Sequence, residues 1–109
     1  MNIGKINPTA IYWDKINSET FNGETGFTVV KSQSFGDMKI RQVEYSANYL
    51  ADHWCEKGHV VFMVSGQLML EHIDGSVLEM NGGSTYVVGD NTMAHRARSN
   101  SGALVLIVD

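Results

Sequence analysis

Glycine punctuates the second half of the chain at positions 58, 66, 75, 82, 83, 89 and 102, and the stretches between are about as long as short β-strands. Apolar and β-branched runs fill those stretches, at 60–64, 68–73, 77–80, 85–88 and 104–108. Ser65-Gly66, Asp74-Gly75 and Asn81-Gly82-Gly83 offer the positive φ that tight hairpins need. Upstream, 26–34 and 37–45 read as two further strands separated at Phe35-Gly36. Seven or more short strands with hairpin-length links predict an all-β fold, a sandwich or small barrel, and exclude alternating strand-helix architectures. A barrel also removes exposed edges and encloses one ligand, reached through its mouth. Val43, Ala47, Leu50, Ala51 and Trp54 fall at helical spacing, so a short helix across 46–52 stays open.

At 109 residues there is room for one domain. Residues 1–25 are expected to form an N-terminal arm, in which Ile11, Tyr12 and Trp13 cover a sheet edge and 17–24 is a polar loop. Residues 26–109 then form the barrel. So small a barrel buries little surface alone, and the arm needs an apolar surface to cover, so two chains are expected to pair as a homodimer through sheet edges. Eight Lys and Arg against twelve Asp and Glu, a net charge of −4, argue against a nucleic-acid partner. The longest apolar runs, 60–64 and 103–108, are far too short to span a membrane. The first residues lack the apolar stretch of a secretory signal. With a single cysteine, which can form no internal disulfide, a reducing, cytoplasmic setting is expected.

The chemistry concentrates around that cysteine. His53, Cys55 and His59 fall within seven residues, all at odd positions, just ahead of the apolar run at 60–64. In extended chain alternate side chains share a face, so His53 and Cys55 point the same way, and His59 joins them if Lys57-Gly58 preserves the register. Imidazole and thiolate donors suit zinc or another late transition metal. His95, beyond Gly89-Asp90-Asn91, is available as a fourth ligand from a neighbouring strand. Taken alone, Cys55 reads equally as a buried small residue or a reactive thiol.

The spacing His53-x-Cys55-xxx-His59-xxxxxx-Gly66 resembles the first motif of the cupins, in which two histidines one residue apart are followed by Glu and, seven residues on, by Gly. Cys55 stands in the second histidine's place and His59 in the glutamate's. The segment from Gly83 to His95 resembles the second cupin motif, with Gly89-Asp90-Asn91 in place of the usual proline turn and His95 one residue late. Asp52-His53-Trp54-Cys55 is also similar to the signature of a small cupin subgroup named for those four residue types. The resemblance covers about residues 37–108. It implies a cupin-like barrel, that is, a double-stranded β-helix or jelly roll, with a metal held by His53, Cys55, His59 and His95. Replacing the hard carboxylate by His and adding a thiolate softens the site, which makes zinc the first expectation, with Fe, Ni or Cu behind it.

Other polar side chains leave their facing open. Arg41 and Tyr45 share one strand face and Gln42 and Glu44 the other. Gln67, Met69 and Glu71 oppose Leu68, Leu70 and His72, the apolar set being expected inward and His72, near the Asp74-Gly75 turn, exposed. Arg96 and Arg98 read as a solvated face rather than an anion clamp. Three functions stay open: a metalloenzyme acting on a small polar molecule, a non-catalytic binding or sensing module with a structural metal or none, and a thiol sensor at Cys55. The residues do not decide whether the protein is an enzyme.

Overall fold

The computed structural model describes residues 3–109; the first two residues of the expected arm lie outside them. A turn of 3-10 helix at Trp13–Lys15 precedes nine strands: β1 (Glu19–Asn22), β2 (Phe27–Phe35), β3 (Met38–Tyr45), β4 (Tyr49–Leu50), β5 (His59–His72), β6 (Val77–Asn81), β7 (Thr85–Val88), β8 (His95–Ser99) and β9 (Ala103–Val108). Every strand pairing is antiparallel, in the order β1-β2-β3-β9-β5-β8-β4, with β6 and β7 each added to β5. The expected all-β barrel class is what the chain adopts. No helix among the described residues is long and apolar enough to cross a membrane.

One strand organises the rest. β5 runs for fourteen residues and bonds to β9 and β7 along its first half and to β6 and β8 along its second. Its pairing with β9 slips by one residue between Met63 and Ser65, a bulge next to Gly66, where φ is +81°. A Cβ on Gly66 would collide with the carbonyl oxygen of Gly102, so the strand bends only where a side chain is missing. Ser65-Gly66 is therefore a bend within one strand and not the hairpin turn that its composition suggests. Asn81-Gly82-Gly83 likewise joins two strands that do not pair with each other; it carries the chain from one half of β5 to the other. Asp74-Gly75 does make a hairpin turn, between β5 and β6, with Gly75 at φ +89°.

Alternation along the strands builds the core. Ala103, Val105 and Ile107 of β9 meet Val61, Met63, Leu68 and Leu70 of β5, Val43 of β3, Met80 of β6 and Tyr86 of β7. Burying each of the larger of these side chains contributes about 1.5–3 kcal/mol. Val43 is buried between Arg41 and Tyr45, so those two face the barrel interior while Glu44 is exposed. Leu68 and Leu70 face inward as expected, and the same parity carries His72 inside with them. The expectation of an exposed His72 is corrected: its Nδ1–H donates to the Ser76 carbonyl at 3.0 Å and its Nε2 accepts from the Tyr86 hydroxyl at 2.8 Å. Both ring nitrogens find partners, so an imidazole replaces a hydrocarbon without a polar penalty. No helix forms across 46–52. Asn48 takes φ +57°, and Tyr49–Leu50 pairs with β8.

Within the expected arm the polar loop at 17–24 is corrected: its middle is strand β1, which hydrogen-bonds along β2 from Glu19↔Val30 to Asn22↔Phe27. Ile11 and Trp13 are half-buried and Tyr12 is exposed. Arg96 and Arg98 sit against Glu71, at 3.0 and 3.9 Å, and Arg96 also lies over the Trp54 ring, 4.6 Å from its centroid.

Gly66→Ala should cost about 2–4 kcal/mol, since it combines a positive φ with a backbone collision. Gly36→Ala also has a positive φ but nothing within 4 Å of its Cβ, and should cost about 1–2 kcal/mol. Urea unfolding of the two variants checks the order; equal losses would contradict the bulge account.

Candidate metal centre

Three of the four expected ligands converge at one end of the barrel. Cys55 and His95 face each other across an isolated antiparallel bridge, with Cys55 N–H donating to the His95 carbonyl at 2.8 Å and His95 N–H to the Cys55 carbonyl at 2.9 Å. Residues opposed in this way project their side chains to the same side. His59 opens β5, and its Nε2 lies 3.4 Å from Cys55 Sγ. The ligand atoms of Cys55, His59 and His95 all lie within 4.8 Å of one another. The two imidazole rings stand edge to face, 5.2 Å apart.

His53 stands outside this group. The parity argument needs extended chain from 53 to 55, but residues 52–53 form a bend, and the imidazole is 76% exposed and bonded through Nδ1 to Asp52 at 2.6 Å. It lines the same cavity as the three, towards the outside.

The hydrogen bonds around the group set the tautomers. His95 Nδ1 lies 2.9 Å from the Met93 carbonyl, which can only accept, so Nδ1 carries the proton and Nε2 presents a lone pair. That Nε2 is buried and has no hydrogen-bond partner. His59 Nδ1 lies 2.8 Å from Asp109 Oδ2, so its proton is held there and its Nε2 lone pair faces Cys55. A carboxylate that orients an imidazole from behind is the arrangement found behind metal-ligating histidines. The donor set, one sulfur and two unprotonated imidazole nitrogens, one of them the orphaned buried acceptor of His95, fits a late transition metal.

Asp109 is the residue that the sequence reading missed. Its side chain is only 3% exposed, and besides His59 it takes a 2.8 Å bond from Arg41 Nη2, with Lys57 Nζ 3.9 Å from its other oxygen. Burial pushes this carboxyl up, but Arg41, the His59 bond and Lys57 outweigh it and hold it below the usual carboxylate value. The signal that could have found it is parity: Asp109 continues the inward set Ala103, Val105 and Ile107 one step past the end of β9. Burial is the largest influence on His59 and lowers its pKa; Asp109 opposes this, while His95 and Arg41 add to the lowering. Tyr45 is pushed well up, first by burial and then by Tyr49, which keeps its phenol neutral.

A cavity of about 330 Å³ opens beside the group, lined among others by Lys39, Arg41, Tyr45, Tyr49, Arg96 and Ile107. It adjoins a space of about 560 Å³ under β1 and β2 that shares Lys39, Arg41, Tyr45, Tyr49, His53 and Ile107 with it. The smaller space is at the low end of small-molecule sites.

No protein-family model matches the chain, and no curated protein does. Solved structures match over nearly its whole length. It is similar to an RmlC-like cupin from Shewanella frigidimarina NCIMB 400, at a TM-score of 0.74 and 14% identity over 94% of this chain and 89% of that one. It is similar to an ectoine synthase from P. lautus, at 0.74 and 14% over 93% and 76%. It is also similar to a predicted oxalate decarboxylase from Thermotoga maritima, at 0.77 and 10% over 92% and 96%. At these identities the likeness is one of fold.

Because the folded chain disfavours the proton that His59 accepts when unfolded, stability should fall as pH drops through and below about 6.5. Asp109 acts in the same direction, but only as pH falls through the lower carboxylate range. Denaturant unfolding of chelator-treated protein should show lower stability at pH 5.5 than at 7.5. His59→Asn, whose amide still donates to Asp109, should reduce that drop; an unchanged drop would remove His59 as its source.

Proposed function

We propose that this small cupin-fold protein holds a divalent transition metal on Cys55, His59 and His95 and binds a small polar molecule in the cavity beside it. One observation carries the reading: the buried, unpartnered Nε2 of His95, aimed beside the Cys55 sulfur and the His59 lone pair. A buried nitrogen left without a partner costs about 1–3 kcal/mol, a cost that coordination would remove. Zinc is the first choice because thiolate and imidazole are both donors that it takes readily, with iron, nickel or copper behind it. Three protein ligands leave a coordination position free, and a metal there would act as a Lewis acid on a polar group of the bound molecule.

The chain's own residues would do the rest. Asp109 and the Met93 carbonyl hold the two imidazoles in the tautomer that binds metal. Val61, Leu68, Leu70 and Ile107 form the apolar wall that limits access of water. A non-catalytic binding module is the second reading, favoured by the lining of the cavity, where Asp109 is the one carboxylate and its Oδ2 is already engaged by both Arg41 and His59. A reducing, cytoplasmic setting would keep Cys55 as a ligand rather than an oxidised thiol.

Elemental analysis of protein purified without added metal or affinity tag tests the reading. The expected result is about one metal per chain, zinc foremost. Cys55→Ser and His95→Ala should each lower metal content by about tenfold or more, whereas His53→Ala should retain it. A parent protein that takes up no metal, or Cys55→Ser and His95→Ala variants that bind as the parent does, would overturn it and leave a plain binding barrel or a thiol sensor.

We further propose that two chains pair along the open edge of β1, where Glu19–Asn22 are all exposed and bond to β2 on one side only. Sedimentation at increasing concentration should show a dimer; a monomer at about 100 μM would rule it out.

A further inference from the structure

The charges around the inner cavity are unlike those of the chain as a whole. The protein carries a net charge of −4, with twelve acidic residues. Yet four cations, Lys39, Arg41, Lys57 and Arg96, line this cavity against a single carboxylate, Asp109. Arg96 is already neutralised by Glu71. Arg41 gives one nitrogen to Asp109, but its Nε is buried with no partner. Lys57 reaches Asp109 only at 3.9 Å, and Lys39 makes no ion pair among the described residues. One negative charge thus faces three positive ones, of which Arg41 is the one held largely out of solvent and so the least screened.

Position narrows the choice of ligand. Lys39 and Arg41 are two apart on β3 and both line the cavity, and Lys39 is tied to Asp109 by reciprocal backbone bonds of 2.6 and 3.0 Å. The adjoining outer space is lined in addition by Glu19 and Asp52, which disfavour an anion there. About 330 Å³ is at the low end of small-molecule sites and is enough for a small acid. Two cationic side chains from one strand, one of them a guanidinium, match a flat, two-oxygen acceptor.

We infer that the inner cavity seats a small carboxylate on Lys39 and Arg41, with the rest of the molecule directed towards Cys55, His59 and His95. The inference rests on reading this cavity as the ligand pocket. Lys39 and Arg41 bind the acid group, and the opposite wall receives the part of the molecule that a metal would meet.

The test uses chelator-treated, metal-free protein, so that binding is read without the metal. Succinate should raise the melting temperature and bind by calorimetry at low salt, while its uncharged diamide, succinamide, should do neither. Lys39→Met, a change at an exposed side chain, should weaken succinate by about fivefold or more and leave metal uptake as in the parent. Arg41→Lys, which keeps the charge but loses the fork, should weaken it as well. Equal responses to succinate and succinamide, parent-like succinate affinity in Lys39→Met, or tighter binding of inorganic phosphate than of succinate would each overturn the inference. Protein that binds succinate but takes up no metal would overturn the metal reading alone. Protein that holds metal but ignores succinate would overturn this one alone.

Discussion

A bend in one strand governs the architecture. β5 bonds to β7 and β9 before the bulge at Gly66 and to β6 and β8 after it, so both walls of the barrel hang from one continuous backbone. Backbone hydrogen bonding resists such a turn unless a residue can take positive φ without a side chain, and within β5 Gly66 meets both conditions, with Gly102 packed directly against it. The same strand begins at His59 and ends at His72. The bend brings both ends to the same place: His72 pairs with His95 in the β5–β8 ladder, and the Tyr86 ring lies 6.0 Å from that of His95.

At the site, position comes from backbone and protonation state from side chains. The bridge between Cys55 and His95 places a sulfur and an imidazole side by side without any contribution from the ligands themselves. Asp109 then joins three separate parts of the chain, β3 through Arg41, β5 through His59 and the preceding loop through Lys57. A buried carboxylate is costly unless paired, and here the pairing is also what fixes the tautomer of His59. Arg41 links this arrangement to the cavity, since one of its nitrogens serves Asp109 and another is left unpartnered.

Much of this was legible in the sequence. Glycine spacing and β-branched runs pointed to the all-β barrel because turns and pleated strands draw on local chemistry. The Cys55/His59 pair was legible because both lie in a short stretch next to a strand. Other expectations gave way to local backbone geometry or to the surrounding fold. His53 was placed with Cys55 by strand parity, which fails in a bend. Ser65-Gly66 has the composition of a hairpin turn but occupies a bulge, a choice made by the two different sheets that β5 must join. His72 was expected outside because it is polar and near a turn, whereas parity with Leu68 and Leu70 and the waiting Tyr86 hydroxyl carry it in.

The sequence by itself determined the class of fold and the kind of chemistry, since strand-forming runs, turn glycines and a Cys/His cluster are properties of neighbouring residues. Tertiary structure alone decided which donors meet and what surrounds them. Cys55 and His95 are forty positions apart, and Asp109 lies fifty beyond His59. They come together only because antiparallel pairing through β5 and β9 closes the barrel, and no local pattern records a register between strands so distant in the chain.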